Sequence, residues 1–348
     1  MSISELIVTS EEADCETRIP IIKTIDQLDD SPVEWLIKDW IPKKNITLLC
    51  SDGGTGKTFV TATVLADLSS GRQTIFNESD QADRPQKVMF FSGEDVESVL
   101  RLRLMAAEAN KKLCLISGLD TNEELLTFDS DQLEIIIRAY RPSLVVFDPL
   151  QSFIGSSVDM SRRNQMRTAL KPLQVLAAKY DMAVLILMHT NKRDGADGRS
   201  KMADSSDIWD IARSVVMAGF DSENQRYLSL EKSSYADHFS IPSILFEIRN
   251  GRVVVTDRIM MKQRDFEQEK KKSRKPDVQV PTLKSKCCTA ILCCLSDHNG
   301  RVDQKTLADY LCKAGFTDKT IRTAREQLIN DKQIGFNRSN GKVTYYRK

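Results

Sequence analysis

Short apolar runs punctuate the chain as far as Met188, and each one ends in a polar cluster. Asn45 to Cys50 (NITLLC) runs into a glycine-rich turn. Lys87 to Phe91 (KVMFF) ends in Ser92-Gly93-Glu94-Asp95, and Ser143 to Phe147 (SLVVF) in Asp148-Pro149. Ala183 to Met188 (AVLILM) ends in His189-Thr190-Asn191-Lys192. The runs do not alternate cleanly, which predicts strands covered on both faces. Helix-forming stretches lie between them, at Thr58 to Ser69, Val96 to Asn110, Asp131 to Ala139 and Ser161 to Lys179. Strands alternating with helices predict an α/β fold with a mostly parallel sheet. Ligands of such sheets bind at the carboxyl ends of the strands. The pattern therefore gathers Lys57, Glu94, Asp148 and His189 on one edge.

The flanking segments read differently. Residues 1–31 are polar and acidic, an expected arm. Pro32 to Pro42 (PVEWLIKDWIP) carries Trp35, Leu36, Trp40 and Ile41, which require burial. Tyr227 to Leu230, Ser243 to Ile248 and Arg252 to Thr256 predict antiparallel strands that extend the sheet. Residues 262–277 are almost wholly charged, a linker or a solvated helix. From Pro281 a small α+β domain is expected. Its helices are Leu283 to Leu295, Gln304 to Ala314 and Asp318 to Asn330. A hairpin follows, turning at Arg338-Ser339-Asn340-Gly341, where Asn-Gly is a turn signal. This is the layout of a winged helix. The expected organisation is an arm at 1–31, the α/β domain at 32–260, a charged linker at 261–280 and the winged helix at 281–348.

Composition narrows the chemistry. The 348 residues carry a formal net charge of +1, so any nucleic-acid contact must come from a local patch. The start, MSISELIVTSEEADCE, has neither the basic nor the apolar region of a signal peptide. No apolar run approaches the roughly 20 residues that span a bilayer. A soluble, cytoplasmic protein without membrane contact is expected. Four of the eight cysteines, Cys287, Cys288, Cys293 and Cys294, fall in one predicted helix. Adjacent residues there point about 100° apart, which favours thiols packed in a core over a zinc site.

Ser51-Asp52-Gly53-Gly54-Thr55-Gly56-Lys57-Thr58 fits a phosphate-binding loop except at its first position, where Ser51 replaces the usual glycine. Its glycines turn backbone N–H groups toward a β-phosphate, and the helix behind presents its positive end. Lys57 reaches the β- and γ-phosphates, the Thr58 hydroxyl ligates Mg²⁺, and Phe59 closes the nucleotide-binding set. Asp148 is the expected carboxylate behind the metal. Pro149 follows it, so the base that orients the attacking water must lie elsewhere. Glu94 is the candidate, on a strand expected to lie next to that of the phosphate loop. Asp95 competes with it, and both could instead cap the helix starting at Val96. His189 is placed to sense the γ-phosphate, or is a hydrogen-bonded histidine at a strand end. Arg213, within Ala203 to Ala218, and Lys232 are candidates for a finger completing a neighbour's site, or ordinary surface cations.

Taken together, SDGGTGKT, FSGED at 91–95, VVFDPL at 145–150, LMHTNK at 187–192, SSDIWDIAR at 205–213 and EKSSYA at 231–236 resemble the RepA-type replicative helicases of plasmids. These are a hexameric branch of the RecA/DnaB-like ATPases. The likeness covers roughly residues 32–256. It implies a RecA-like P-loop core, ATP and Mg²⁺ as ligands, Glu94 as base, and Asp148 holding the metal through water. It implies that His189 couples the γ-phosphate to DNA-facing loops. Arg213, and with it Lys232, would reach the neighbouring subunit's nucleotide across a ring whose channel takes single-stranded DNA. The winged-helix tail departs from the smallest members.

Two DNA contacts are expected. Lys192 and Arg193 lie in a polar, basic loop that faces DNA or is simply a surface loop. Lys319, Arg322 and Arg325 lie on the third tail helix, which can enter a major groove with Arg338, Lys342 and Arg347 near phosphates; a protein-binding tail would carry the same charges. The expected function is an ATP-hydrolysing, ring-forming helicase or translocase on single-stranded DNA, serving a plasmid, phage or mobile element. An initiator or primase is an expected partner, and double-stranded DNA is expected on the winged helix. The alternative is an ATP-dependent regulator or loader acting on a protein or on double-stranded DNA without unwinding it.

Overall fold

A computed structural model describes residues 23–28, 30–76, 84–118, 126–160, 162–190, 206–273, 283–339 and 341–348. The chain forms two compact units, divided between Glu269 and Lys270.

The first unit opens with β1 (Trp35–Ile37) and β2 (Ile41–Pro42), which bury Trp40 and Ile41. The succession β3 (Ile46–Ser51), α1 (Lys57–Ser70), β4 (Val88–Ser92), α2 (Glu97–Ala106), β5 (Cys114–Ser117), α3 (Asp131–Tyr140), β6 (Leu144–Asp148), α4 (Arg163–Lys179) and β7 (Ala183–His189) is the expected α/β alternation. After α5 (Ser206–Ile211) come β8 (Ser214–Phe220), β9 (Arg226–Ser233), β10 (Ser243–Arg249) and β11 (Arg252–Ile259), then α6 (Gln263–Ser273).

One nine-stranded sheet has the order β11-β10-β9-β8-β3-β7-β6-β4-β5. Strands β8, β3, β7, β6, β4 and β5 are parallel, and β9 to β11 continue the sheet in antiparallel fashion. The lack of alternation in the apolar runs now has its cause. In β6, Leu144 and Val146 enter one core, while Val145 and Phe147 enter the core on the opposite face. Each layer of side chains thus packs under helices.

Three features depart from expectation. The strand ending before Glu94 does not lie next to that of the phosphate loop; β7 and β6 stand between β3 and β4. The connection through α1 spans two strand positions, which α3 and α4 later bring the chain back to fill. Strand β5 was not among the apolar runs, being half-buried at the sheet edge. The charged stretch from residue 262 takes the helical of its two expected forms over Gln263–Ser273, but that helix is not wholly solvated. Phe266 of α6 is 1% exposed and stacks on Tyr227 at 3.9 Å. Gly219 on β8 admits that ring, since a Cβ there would stand 2.5 Å from the tyrosine oxygen.

The second unit runs α7 (Leu283–Asp297), β12 (Arg301–Asp303), α8 (Gln304–Lys313), α9 (Asp318–Asn330), β13 (Ile334–Ser339) and β14 (Lys342–Arg347). The strands form one antiparallel sheet with β14 in the middle. Asp303 caps α8 by accepting from the N–H groups of Lys305 and Thr306. Cys287 and Cys294 are buried in this unit's core, Cys288 is half-buried and Cys293 exposed. Core thiols therefore describe part of the cluster only. Among the described residues no group of three or more His, Cys, Asp or Glu could hold a metal, and no helix is long and apolar enough to cross a membrane.

Candidate nucleotide-binding site

Strand β3 delivers the chain to the sheet edge and Gly56 turns it into α1. Gly54 and Gly56 have φ of +81° and +99°, a region that costs a residue with a Cβ about 1 kcal/mol or more. Ser51 is still β-strand and outside the left-handed region, so the position that departs from the motif does not require glycine. Its hydroxyl pairs with that of Thr55, pinning the two ends of the turn.

Lys57 is the centre of the cluster. It is 8% exposed, and its ammonium donates to the Ser51 carbonyl at 3.1 Å and the Ser51 hydroxyl at 2.8 Å. His189 Nδ1 lies 3.3 Å from it. Strands β3 and β7 are in register, with Ser51 opposite His189. The tie is doubled by Thr190, which donates from its hydroxyl to Asp52 and from its N–H to the Ser51 carbonyl at 3.1 Å. Burial holds the Lys57 ammonium below its ordinary range, with Asp148 pulling the other way.

Strand β6 brings Asp148 opposite Ser92 of β4, and the N–H of Gly93 donates to the Asp148 carbonyl at 2.8 Å. Glu94 thereby reaches the Asp148 side of the site although β4 is three positions from β3. Asp148 is pushed up to about 6, first by burial and then by the charge of Glu94. A buried carboxylate beside a second acid is a set that a hard cation neutralises. With the Thr58 hydroxyl opening α1, the donors fit Mg²⁺, which takes most of its ligands from phosphate and water.

Ser92, and not Glu94 or Asp95, caps the turn into α2. Its hydroxyl accepts from the N–H groups of both. The Asp95 carboxylate pairs with Arg103, while Glu94 is exposed. Of the two acids, Glu94 is the one left facing the site.

Two residues here escaped the sequence. Arg103 holds Asp95 and lies over the Phe59 ring at 5.9 Å. Arg226 lies over the Phe220 ring at 5.1 Å. Its Nε stands 3.8 Å from the point where a Cβ on Gly56 would be, and has no hydrogen-bond partner although buried. Arg226 reaches the loop from β9 and Arg103 reaches Phe59 from α2, and no short motif contains either.

Arg213 and Lys232 are placed elsewhere. The Arg213 N–H donates to the Ile46 carbonyl at 2.9 Å, at the start of β3. Five residues at about 3.3 Å each put Ser51 roughly 16 Å away along that strand. Lys232 donates to the carbonyls of Trp209, Asp210 and Ala212 at 2.7, 3.2 and 2.7 Å, which ties down the end of α5. Lys192 and Arg193 lie outside the described residues. On α9, Lys319 and Arg322 are exposed, the latter paired with Glu326 at 3.1 Å. Arg325 does not share their face. It is half-buried and donates to the Tyr345 hydroxyl at 2.9 Å, because steps of three along a helix drift by about 60° each.

A family model described as an AAA domain, AAA_25, matches residues 17–195, just over half of the chain. The matched stretch contains the phosphate loop, Glu94, Asp148 and His189. A KaiC-like protein from the hyperthermophilic archaeon Pyrococcus horikoshii OT3 is a structural match at 16% identity and a TM-score of 0.45, covering 65% of this chain and 100% of that one. No curated protein matches the chain.

Proposed function

We propose that this chain, which belongs to the AAA domain family AAA_25, is an ATPase of the RecA-like class that uses ATP to move along single-stranded DNA as a homo-oligomer. The contact between Lys57 and His189 at 3.3 Å is the observation that supports this reading best. Lys57 is the lysine of the γ-phosphate, and His189 ends the strand that leads into the basic loop carrying Lys192 and Arg193. A change at the phosphate is thereby passed to a segment with the composition of a DNA contact.

In this reading Lys57 binds the β- and γ-phosphates, and backbone N–H groups from Gly53 to Thr58 surround the former. Thr58 and Asp148 hold Mg²⁺, which neutralises charge developing on the transferred phosphoryl group. Glu94 orients water and takes its proton. Arg213, on the opposite edge of the sheet, acts on a neighbouring copy's nucleotide. The second unit, helix-strand-helix-helix-hairpin in order, serves as a winged helix with Lys319 and Arg322 toward double-stranded DNA.

The test is steady-state ATP hydrolysis with and without single-stranded DNA, in the wild type and a Glu94→Gln variant. Loss of a positioned base lowers the rate by about 10² to 10⁴. DNA stimulation that disappears in the variant supports the reading. Hydrolysis indifferent to DNA favours the regulator acting on a protein partner, for which the separate second unit would be the adaptor. Absence of hydrolysis under every condition would sink both.

A further inference from the structure

The near-neutral total charge of the chain hides a division between its two units. From Lys270 onward there are 18 Lys and Arg against 7 Asp and Glu, a net +11, which leaves −10 on residues 1–269. The second unit therefore attracts a polyanion that the first unit repels. Its small sheet shows where such a partner would be held.

Two consecutive tyrosines of β14 face opposite sides of that sheet. Tyr345 stands opposite Val302 of β12 and Phe336 of β13. It is 8% exposed, in the core that the helices cover, and its hydroxyl accepts from Arg325 of α9 at 2.9 Å. Tyr346 points the other way, between Gly335 of β13 and Arg301 of β12. A Cβ on Gly335 would stand 2.5 Å from Tyr346 Cζ and 2.6 Å from its oxygen. The ring thus lies across the backbone of β13 and buries the glycine.

A ring laid over a glycine also steadies a sheet, but that role engages only one of its faces. Tyr346 is half-buried, and among the described residues no ring or cation packs on it. Arg301 beside it is exposed and has no ion pair among the described residues. Lys342, on the same face about 13 Å along β14, is exposed as well. The acid on this face, Asp303, is turned to α8, whose first N–H groups it caps. An aromatic plane held from below, open above and flanked by cations is a stacking platform for an unpaired base. A duplex keeps its base faces stacked on one another, so the ring favours a single strand.

We infer that the outer face of β12, β14 and β13 binds single-stranded DNA, with one base stacked on Tyr346 and the neighbouring phosphates on Arg301 and Lys342. The choice of DNA over RNA rests on the reading above. The site itself is separate from the α9 contact with double-stranded DNA, and it needs neither ATP nor movement along the strand.

The experiment uses the full chain without nucleotide. Every sample carries Lys192→Ala/Arg193→Ala, which removes the loop contact expected of the first unit. The probe is a fluorescein-labelled oligothymidylate about 12 nucleotides long that contains one 5-iodouracil. Anisotropy reads the affinity, and an ultraviolet crosslink reads which residues the base touches. The crosslink is expected within residues 343–347. Tyr346→Leu, which still covers Gly335, should weaken binding about tenfold or more, while Tyr346→Phe keeps it. Arg301→Gln should flatten the slope of log affinity against log salt by about 0.7. Circular dichroism melts confirm that each variant is folded. Crosslinks confined to the first unit, or a Tyr346→Leu variant that binds as tightly as its parent, overturn the inference. So does a duplex of the same sequence that displaces the single strand at equal concentration, which would make the hairpin a duplex contact. An RNA probe that binds more tightly than the DNA overturns the choice of strand. ATP hydrolysis, assayed separately on the wild type, keeps the two readings apart. A chain that hydrolyses ATP and never crosslinks at the hairpin loses the platform and keeps the ATPase; one that crosslinks there without hydrolysing ATP does the reverse.

Discussion

Gly93 lies against Ser152 so closely that a Cβ on the glycine would stand 2.2 Å from the serine Cβ. The two residues follow the ends of adjacent strands, β4 and β6, and Gly93 immediately precedes Glu94. A methyl group there must push the Glu94 loop away from the segment after Asp148. We expect Gly93→Ala to lower kcat for ATP by about 10²-fold, the scale of a 1 Å misplacement. Adding Ser152→Gly, which removes the obstructing carbon, should recover most of the loss. A Gly93→Ala variant with wild-type kcat would contradict the close packing.

His189 is held below its ordinary value of 6.5, first by burial and then by the Lys57 ammonium. Its ring is neutral in the folded chain near neutral pH, while the unfolded chain takes up a proton more readily. The stability contribution is therefore present above about pH 6.5 and declines as pH falls through that value. Between about pH 7.5 and 5.5 the wild type should lose more thermal stability than His189→Asn, measured as the shift in Tm. Equal losses would remove the histidine as the cause.

Arg226 places a guanidinium backed by Phe220 beside the phosphate loop, with a buried Nε that has no partner. Replacing it with alanine should raise the KM for ATP roughly tenfold with little change in kcat, the pattern of lost ground-state binding. A fall in kcat at constant KM would instead put Arg226 in the chemical step.

Asp67, 1% exposed, accepts from Arg72 Nε at 3.1 Å and from Arg252. Arg252 also donates to the Ala107 carbonyl at 2.6 Å, and Arg72 to the Glu108 carbonyl at 3.0 Å. The aspartate thus locks the end of α1 to β11 and to the turn after α2. Asp67→Ala leaves two cations facing a dry gap and should cost about 3 kcal/mol. The urea midpoint should fall with an unchanged slope. A cost under about 0.5 kcal/mol would mean that water enters and solvates the arginines.

The elements that are covered on both faces were legible because their apolar runs have no other explanation. β3, β4, β6 and β7 stand where the runs predict them, and Lys57, Glu94, Asp148 and His189 share the expected edge. β5 was not, because a half-buried edge strand such as Cys114–Ser117 has too short an apolar run. β8 follows α5 with no glycine or proline between them, so nothing in the sequence marks a boundary at Arg213. The order of strands was the deeper failure. Adjacency is decided by how far each crossover carries the chain, which no local pattern encodes, so the run before Glu94 reads as a neighbour of β3 although β7 and β6 stand between. Arg103 and Arg226 escaped for the same reason. Their roles come from what the folded chain sets opposite them.

Tyr227, stacked on Phe266 of α6, is the residue after Arg226 on β9. The side chain that leans on the phosphate loop and the ring that anchors the outgoing helix are therefore consecutive positions of one strand, pointing to opposite faces of the sheet. A small rocking of that strand about its axis would press one down as it lifts the other. That one strand thus ties the flank of the phosphate loop to the start of α6.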